Sequence, residues 1–186
     1  MAGSATQWQL DGTNIAVLAD CHIHPGGGPA FPDSLFHALQ GADLIVTLGD
    51  MGEAAGLDQL AEIAPVIGVR GQDDSDDPRT DQQALVLTSG DYAIGCIFDA
   101  TAAGLATSSD PFTPSPEFAA VAERLFGRRI DILLHASTHR GGSGHGGGCI
   151  AFNPGSAVLP AEGAKRSFGK LSVDPPTTAW EPVILD

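Results

Sequence analysis

A chain of 186 residues can bury roughly 70% of its unfolded surface, so it reads as one domain over residues 1–186, with no need of disulfides. Its formal net charge of −14 repels phosphate backbones, which excludes nucleic-acid binding through a basic patch, and no apolar run reaches the ~20 residues of a membrane span. Cys21, Cys96 and Cys149 are odd in number and form no CxxC pair, and the opening MAGSATQWQLDG lacks the charged-then-apolar pattern of a secretion signal, so a soluble, cytoplasmic protein is expected.

Short apolar runs bounded by Gly, Asp and Pro recur along the chain, each of strand length. They are NIAVLAD (14–20), DLIVTLGD (43–50), PVIGVRG (65–71), ALVLTSG (84–90), YAIGCIFD (92–99), DILLHA (131–136), CIAFNPG (149–155) and a C-terminal pair, SFGKLSV and TTAWEPVIL. Helix-like stretches separate some of them. PDSLFHALQG has Asp33 as its cap, EAAGLDQLAEIA spaces Leu57, Leu60 and Ile63 helically, and SPEFAAVAERLFG offers Ser115 as cap and Pro116 at the first helical position. In the last of these, Phe118, Val121, Ala122 and Leu125 fall on one side. The alternation predicts an α/β fold with parallel early strands and a strand-rich second half that closes as a second sheet or a sandwich. GGSGHGGG (141–148) reads as a mobile loop, and not a phosphate-binding loop, since it lacks the GKS/T ending and precedes a strand.

Ligands in such folds gather at the C-terminal ends of strands. Asp20 and His22 end the first strand, Asp50 the second, Gln72 and Asp73 the third, and His139 follows a later one. Carboxylate and imidazole together suit divalent metals. An isolated Asp-x-His is common by chance, and so is Gly49-Asp50 as a turn; their recurrence at successive strand ends is what carries weight.

VLADCH, TLGD, PVIGVRGQDD, DILLHASTHR and FNPGS fall in an order and spacing that resembles the calcineurin-like metallophosphoesterases, in particular the small bacterial branch related to the retromer cargo-recognition subunit. The resemblance runs from about residue 14 to the end. It implies a four-layer αββα sandwich of two mixed sheets. It also implies a first divalent metal (manganese, zinc, iron or nickel) held by Asp20, His22, Asp50 and His139, with Asp50 bridging toward a second. The implied activity is hydrolysis of a small phosphomonoester or phosphodiester by metal-activated water, with Asp50 and Asp73 in catalytic positions.

The second ligand set departs from the family pattern: Gln72 stands for its Asn, Phe98 for its strand-end His and Ser137 for the first His of its GHTHR block. Phe has no lone pair, Ser is a short and weak ligand, and Gln reaches one methylene too far. One ion per chain is therefore expected, unless residues near these blocks (His24, His135, His145, Asp73, Asp74, Asp99 or Cys21) supply replacements; Gln72 and Ser137 remain possible second-site or substrate residues. Arg140 is a candidate for substrate phosphate or for an ion pair. Asn153 is expected to orient a ligating imidazole. His135, at a strand end, reads equally as a buried neutral imidazole or as a ligand, His37 as packing or surface, and Cys96 as core.

DCHIH also resembles the D-x-H-x-H opening of the PHP phosphoesterases, in which His22 and His24 would both bind metal. Their distorted barrel needs about 200 residues or more and has no place for the later blocks, so this reading is set aside. Two functional classes remain: a metal-dependent phosphoesterase acting on a small ester, or an inactive phosphoesterase-fold binding or scaffold module. Either is compatible with a homo-oligomer.

Overall fold

A computed structural model describes residues 5–10, 14–24, 26, 28–174 and 177–186. The first half lays down β1 (Thr6–Gln9), β2 (Asn14–Leu18), α1 (Asp33–Ala38), β3 (Leu44–Thr47), α2 (Ala54–Ala61) and β4 (Val66–Gly68). The second half adds β5 (Ala84–Ser89), β6 (Tyr92–Ile97), β7 (Ala106–Ser109), β8 (Phe112–Pro114), α3 (Phe118–Phe126) and β9 (Ile132–Leu134). It ends with β10 (Gly141–Gly146), β11 (Cys149–Pro154), β12 (Ser167–Asp174) and β13 (Thr177–Ile184). One sheet has the order β13-β12-β2-β3-β4 and the other β1-β5-β6-β9-β11-β10, with β7 and β8 paired apart.

Successive strand side chains point to opposite faces, and here that alternation separates three apolar layers. Ile15 and Val17 of β2 face inward with Val46, and meet Leu85, Leu87, Ile94, Ile132 and Leu134 of the other sheet. Ala16 and Leu18 face the other way, against Leu35 and Leu39 from α1 and its end and Leu57 and Leu60 of α2. Val86 and Leu133 point outward beneath Phe118, Val121, Ala122 and Phe126 of α3. Helices, sheet, sheet and helix thus stack as the four-layer sandwich the sequence implies. Each fully buried Leu or Phe in these layers contributes roughly 1.5–3 kcal/mol.

As expected from the sequence, β2, β3 and β4 run parallel, and β5, β6, β9, β10 and β11 make up most of the second sheet, while β12 and β13 return to extend the first beside β2. Four details differ. α3 starts at Phe118 after Glu117, not at Pro116; Ser115 does not cap it, because its hydroxyl donates instead to the Gly104 carbonyl at 2.7 Å. Pro32, and not Asp33, precedes α1. The strand β1 escapes sequence reading because TQWQ is exposed throughout and carries no alternation.

The fourth difference concerns the glycine run, which is no loop. Residues 141–146 form β10, antiparallel to β11, and Gly147 and Gly148 make the turn. A Cβ on Gly144 would lie 2.8 Å from Cβ of Phe112, and one on Gly146 would strike Pro114. The glycines form a flat bed on which β8 lies.

His135, after β9, is 1% exposed, and its Nδ1 has no hydrogen-bond partner among the described residues. Burial pushes its imidazole down to about 4 from the ordinary value of 6.5. Between those values the unfolded chain binds a proton that the folded chain refuses, so stability rises with pH across this window and is lost as pH falls through it. The span corresponds to about 3 kcal/mol. Urea melts in chelator at pH 6.5 and pH 4 should show a smaller acid loss for His135→Leu than for the unaltered chain. Equal losses would contradict the assignment.

Candidate metal centre

The ends of β2 and β3 continue as a parallel zipper beyond the sheet. Asp20 N–H donates to Gly49 O (3.0 Å), His22 N–H to Asp50 O (2.9 Å) and Ile23 N–H to Met51 O (2.9 Å). Within it and in the loop after β9, Asp20 (φ 54°), His22 (50°), Asp50 (51°), Ser137 (72°) and His139 (55°) all adopt left-handed backbone. Among the described residues these are all the non-glycine positions with positive φ. Each such residue costs on the order of 1 kcal/mol and persists only where its surroundings over-determine it. The clustering of that strain at these loops marks a functional site.

Asp20 is fully buried and accepts hydrogen bonds from Ser137 N–H (3.2 Å) and His139 N–H (3.1 Å). Burial raises its carboxyl to about 6, with the nearby Asp50 charge adding to the rise, against the opposing pull of His139 and the two backbone donors. Asp50 places Oδ1 on Gln72 N–H (2.6 Å) and Asp73 N–H (2.8 Å), leaving Oδ2 3.8 Å from His22 Nε2. Two buried acids lie close enough for the charge of one to act on the other, and among the described residues neither forms an ion pair with a Lys or Arg.

The imidazoles complete the arrangement. His139 Nδ1 donates to Leu159 O at 2.6 Å, since a carbonyl can only accept, and so its Nε2 is left to face the site. His22 Nδ1 lies 2.7 Å from Asp73 Oδ2, which fixes the proton there and leaves its Nε2 inward as well. The two rings stack with centroids 5.2 Å apart, and the Nε2 atoms approach to 3.4 Å. In neutral imidazoles, two lone pairs converge beside carboxylate oxygens. Asp20, His22, Asp50 and His139 are thus residues of a type that could hold a divalent cation.

His24, which the calcineurin-like resemblance leaves idle, is drawn in. Its Nε2 lies 2.9 Å from Asp73 Oδ2 and its Nδ1 3.8 Å from Glu53 Oε1. The donor atoms of His22, His24 and Asp73 lie within 4.8 Å of one another, the tightest metal-competent triplet of the described residues. A neutral His22 cannot offer both ring nitrogens at once, so it serves this triplet or the inward-facing quartet, not both. Hydrogen bonds, from His22 foremost and also from His24, hold Asp73 below the ordinary carboxylate range.

The other residues singled out by sequence are placed as follows. Asp74 is spent on backbone: Oδ1 accepts from Met51 and Gly52 N–H, and Oδ2 from Asp50 and Gly71 N–H. Ser137 contributes its N–H to Asp20, Gln72 its N–H to Asp50, and Phe98 packs toward the inter-sheet core. Arg140 pairs with Asp110 (3.1 Å) and donates to Glu162 O (2.9 Å). His145 pairs with Ile150 near the start of β11, whereas the site lies beyond the end of that strand. Asn153 holds the loop that carries His139, through Ala136 O and Thr138 Oγ1, and does not orient the imidazole itself.

Ser156, in the FNPGS block, was not anticipated. Its hydroxyl donates to Asp20 O at 2.7 Å and accepts from Val158 and Leu159 N–H, so it also fixes the carbonyl that His139 uses. The signal was present as a small hydroxyl residue after a Pro-Gly turn, a place where side-chain-to-backbone bonds are common.

Asp74→Asn replaces one acceptor oxygen by an NH₂ that faces backbone donors, leaving buried N–H groups unpaired at about 1–3 kcal/mol each. The variant should unfold at clearly lower denaturant and bind manganese more weakly by calorimetry. Unchanged stability would remove the clamp from this account.

Residues 14–175 match the calcineurin-like phosphoesterase superfamily domain. A probable metallophosphoesterase of Methanocaldococcus jannaschii is 28% identical over 163 residues, covering 86% of this chain and 76% of that protein. Among solved structures, Vps29 of Chaetomium thermophilum superposes with a TM-score of 0.69 at 22% identity, covering 92% of this chain and 97% of that one. A predicted phosphoesterase of Streptococcus pneumoniae gives 0.61 at 18% identity, covering 92% and 89%. Zinc-complexed Vps29 of Entamoeba histolytica gives 0.60 at 20%, covering 92% and 98%. These structures share the fold, and the matched family model shows that the chain belongs to the calcineurin-like phosphoesterases.

Proposed function

We propose that the protein is a phosphoesterase that uses one divalent cation per chain, held by Asp20, His22, Asp50 and His139. The observation that carries this is the convergence of two imidazole Nε2 atoms, 3.4 Å apart, beside Asp50 on left-handed backbone. When bound, the cation supplies Lewis-acid activation of water and of the phosphate oxygens. It also reverses the local sign of a chain whose net charge of −14 would otherwise repel the ester.

The protein's own groups position this chemistry. Leu159 O and Asp73 hold the protons of His139 and His22 on Nδ1, so both rings present Nε2. Asp73 is a positioning residue in this account and not a proton donor, because its carboxylate accepts hydrogen bonds from His22 and His24 and is held ionised by them. His24 keeps Asp73 from swinging away. Asp50 is fixed by two N–H donors on Oδ1 and turns Oδ2 toward the imidazoles. The zinc of the Entamoeba relative supports cation binding on this fold. Phe98 and Ser137 offer no equivalent second set, which favours one ion.

With manganese, the protein should hydrolyse bis-p-nitrophenyl phosphate, and Asp50→Asn should abolish turnover. Elemental analysis should find one ion per chain. Asp73→Asn should weaken manganese binding about 10–100-fold, read by calorimetry. No turnover with any divalent ion would favour a scaffold role instead, and two ions per chain would overturn the single-site reading.

A further inference from the structure

A cavity of about 630 Å³ adjoins the candidate centre, between the loop after β4, the start of β5 and the end of β6. It shares a wall with the site. Gly71 and Gln72 line it, and Gln72 N–H is bound to Asp50 Oδ1 at 2.6 Å. Phe98 also lines it, and that ring lies against Gly49, where a Cβ would come within 2.7 Å of Phe98 Cδ2. Two of the positions at which this chain departs from the expected second ligand set therefore face one space. Ile97 and Leu125 supply further apolar wall.

The charged groups around this space are already engaged. Arg70 pairs with Asp76 and Asp81 and donates to Asp74 O, while Asp99 Oδ1 accepts from Thr101 and Ala102 N–H. The side-chain amides of Gln72 and Gln83, by contrast, form no hydrogen bond with another described residue. An apolar lining with a phenyl ring and free amide donors and acceptors suits a flat, uncharged group with hydrogen-bonding atoms at its edge.

We propose that this cavity is a subsite for a flat, uncharged organic group. Resting on the phosphoesterase reading above, it receives the ester substituent of a substrate whose phosphate lies at Asp50. The protein then selects organic phosphate esters with an aromatic or amide-like substituent over small alkyl esters.

Benzamide, which is neutral, flat and hydrogen-bonding, is the probe. Added to the full-length ¹⁵N-labelled protein, it should shift the backbone amide signals of Gln72, Ile97, Phe98 and Leu125. Ala102 lines the cavity and is exposed, so Ala102→Trp places an indole at the rim without disturbing a packed core. That variant should lose the benzamide shifts and raise KM for bis-p-nitrophenyl phosphate by about 5-fold or more with kcat little changed. Absent shifts in the unaltered protein, or an unchanged KM in the variant, would overturn the subsite. Benzamide binding in a protein that hydrolyses no ester would uphold the subsite and count against the phosphoesterase reading alone.

Discussion

The arrangement depends on one buried carboxylate. Asp20 ends β2 of one sheet and accepts N–H groups from Ser137 and His139, which follow β9 of the other. Its backbone carbonyl is held by Ser156 from beyond β11. A single acidic residue thus pins segments that are more than a hundred positions apart in sequence to one point between two sheets. Burial makes its charge costly, and the backbone donors offset that cost only in part, since the carboxyl still sits at about 6. A cation at this point would supply the missing compensation.

The neighbouring loops serve the same end. Asp74 gathers N–H groups from Asp50, Met51, Gly52 and Gly71, so that the turn after β3 and the turn after β4 are fastened to one side chain. Gly71 tolerates this closeness because a Cβ there would collide with Asp50. With that turn fixed, Asp50 has little freedom except in the oxygen it turns toward His22. The strained backbone of five site residues is held in place by these converging bonds.

Much of this was legible in the sequence. The unbroken apolar runs in NIAVL and ALVLTS mark strands, and the sheets bury both faces of these strands between layers. The strand-end rule and the family resemblance brought Asp20, His22, Asp50 and His139 together as candidates, and the structure draws their loops into one neighbourhood. What escaped reading were contacts that depend on backbone atoms. Nothing in the letters shows that Leu159 supplies the carbonyl for His139, or that Asp74 is consumed by N–H groups. Nor could spacing show that Asp73 lies between His22 and His24, because that bridge requires the third strand's loop to cross over the first. The run DDSDD (73–77) carries four acidic side chains in five positions. It is divided among separate tasks, with Asp73 on imidazoles, Asp74 on backbone, Asp76 on Arg70 and Asp77 on Arg79.

The glycine bed of β10 has its own evolutionary meaning. Because Phe112 and Pro114 rest where side chains at 144 and 146 would stand, the two segments are constrained as a pair. A relative that gains bulk along this edge must shorten or displace the β7–β8 hairpin, and one that loses the hairpin is freed from glycine. The low-complexity look of GGSGHGGG therefore records a steric fit to a hairpin some thirty positions earlier in the chain.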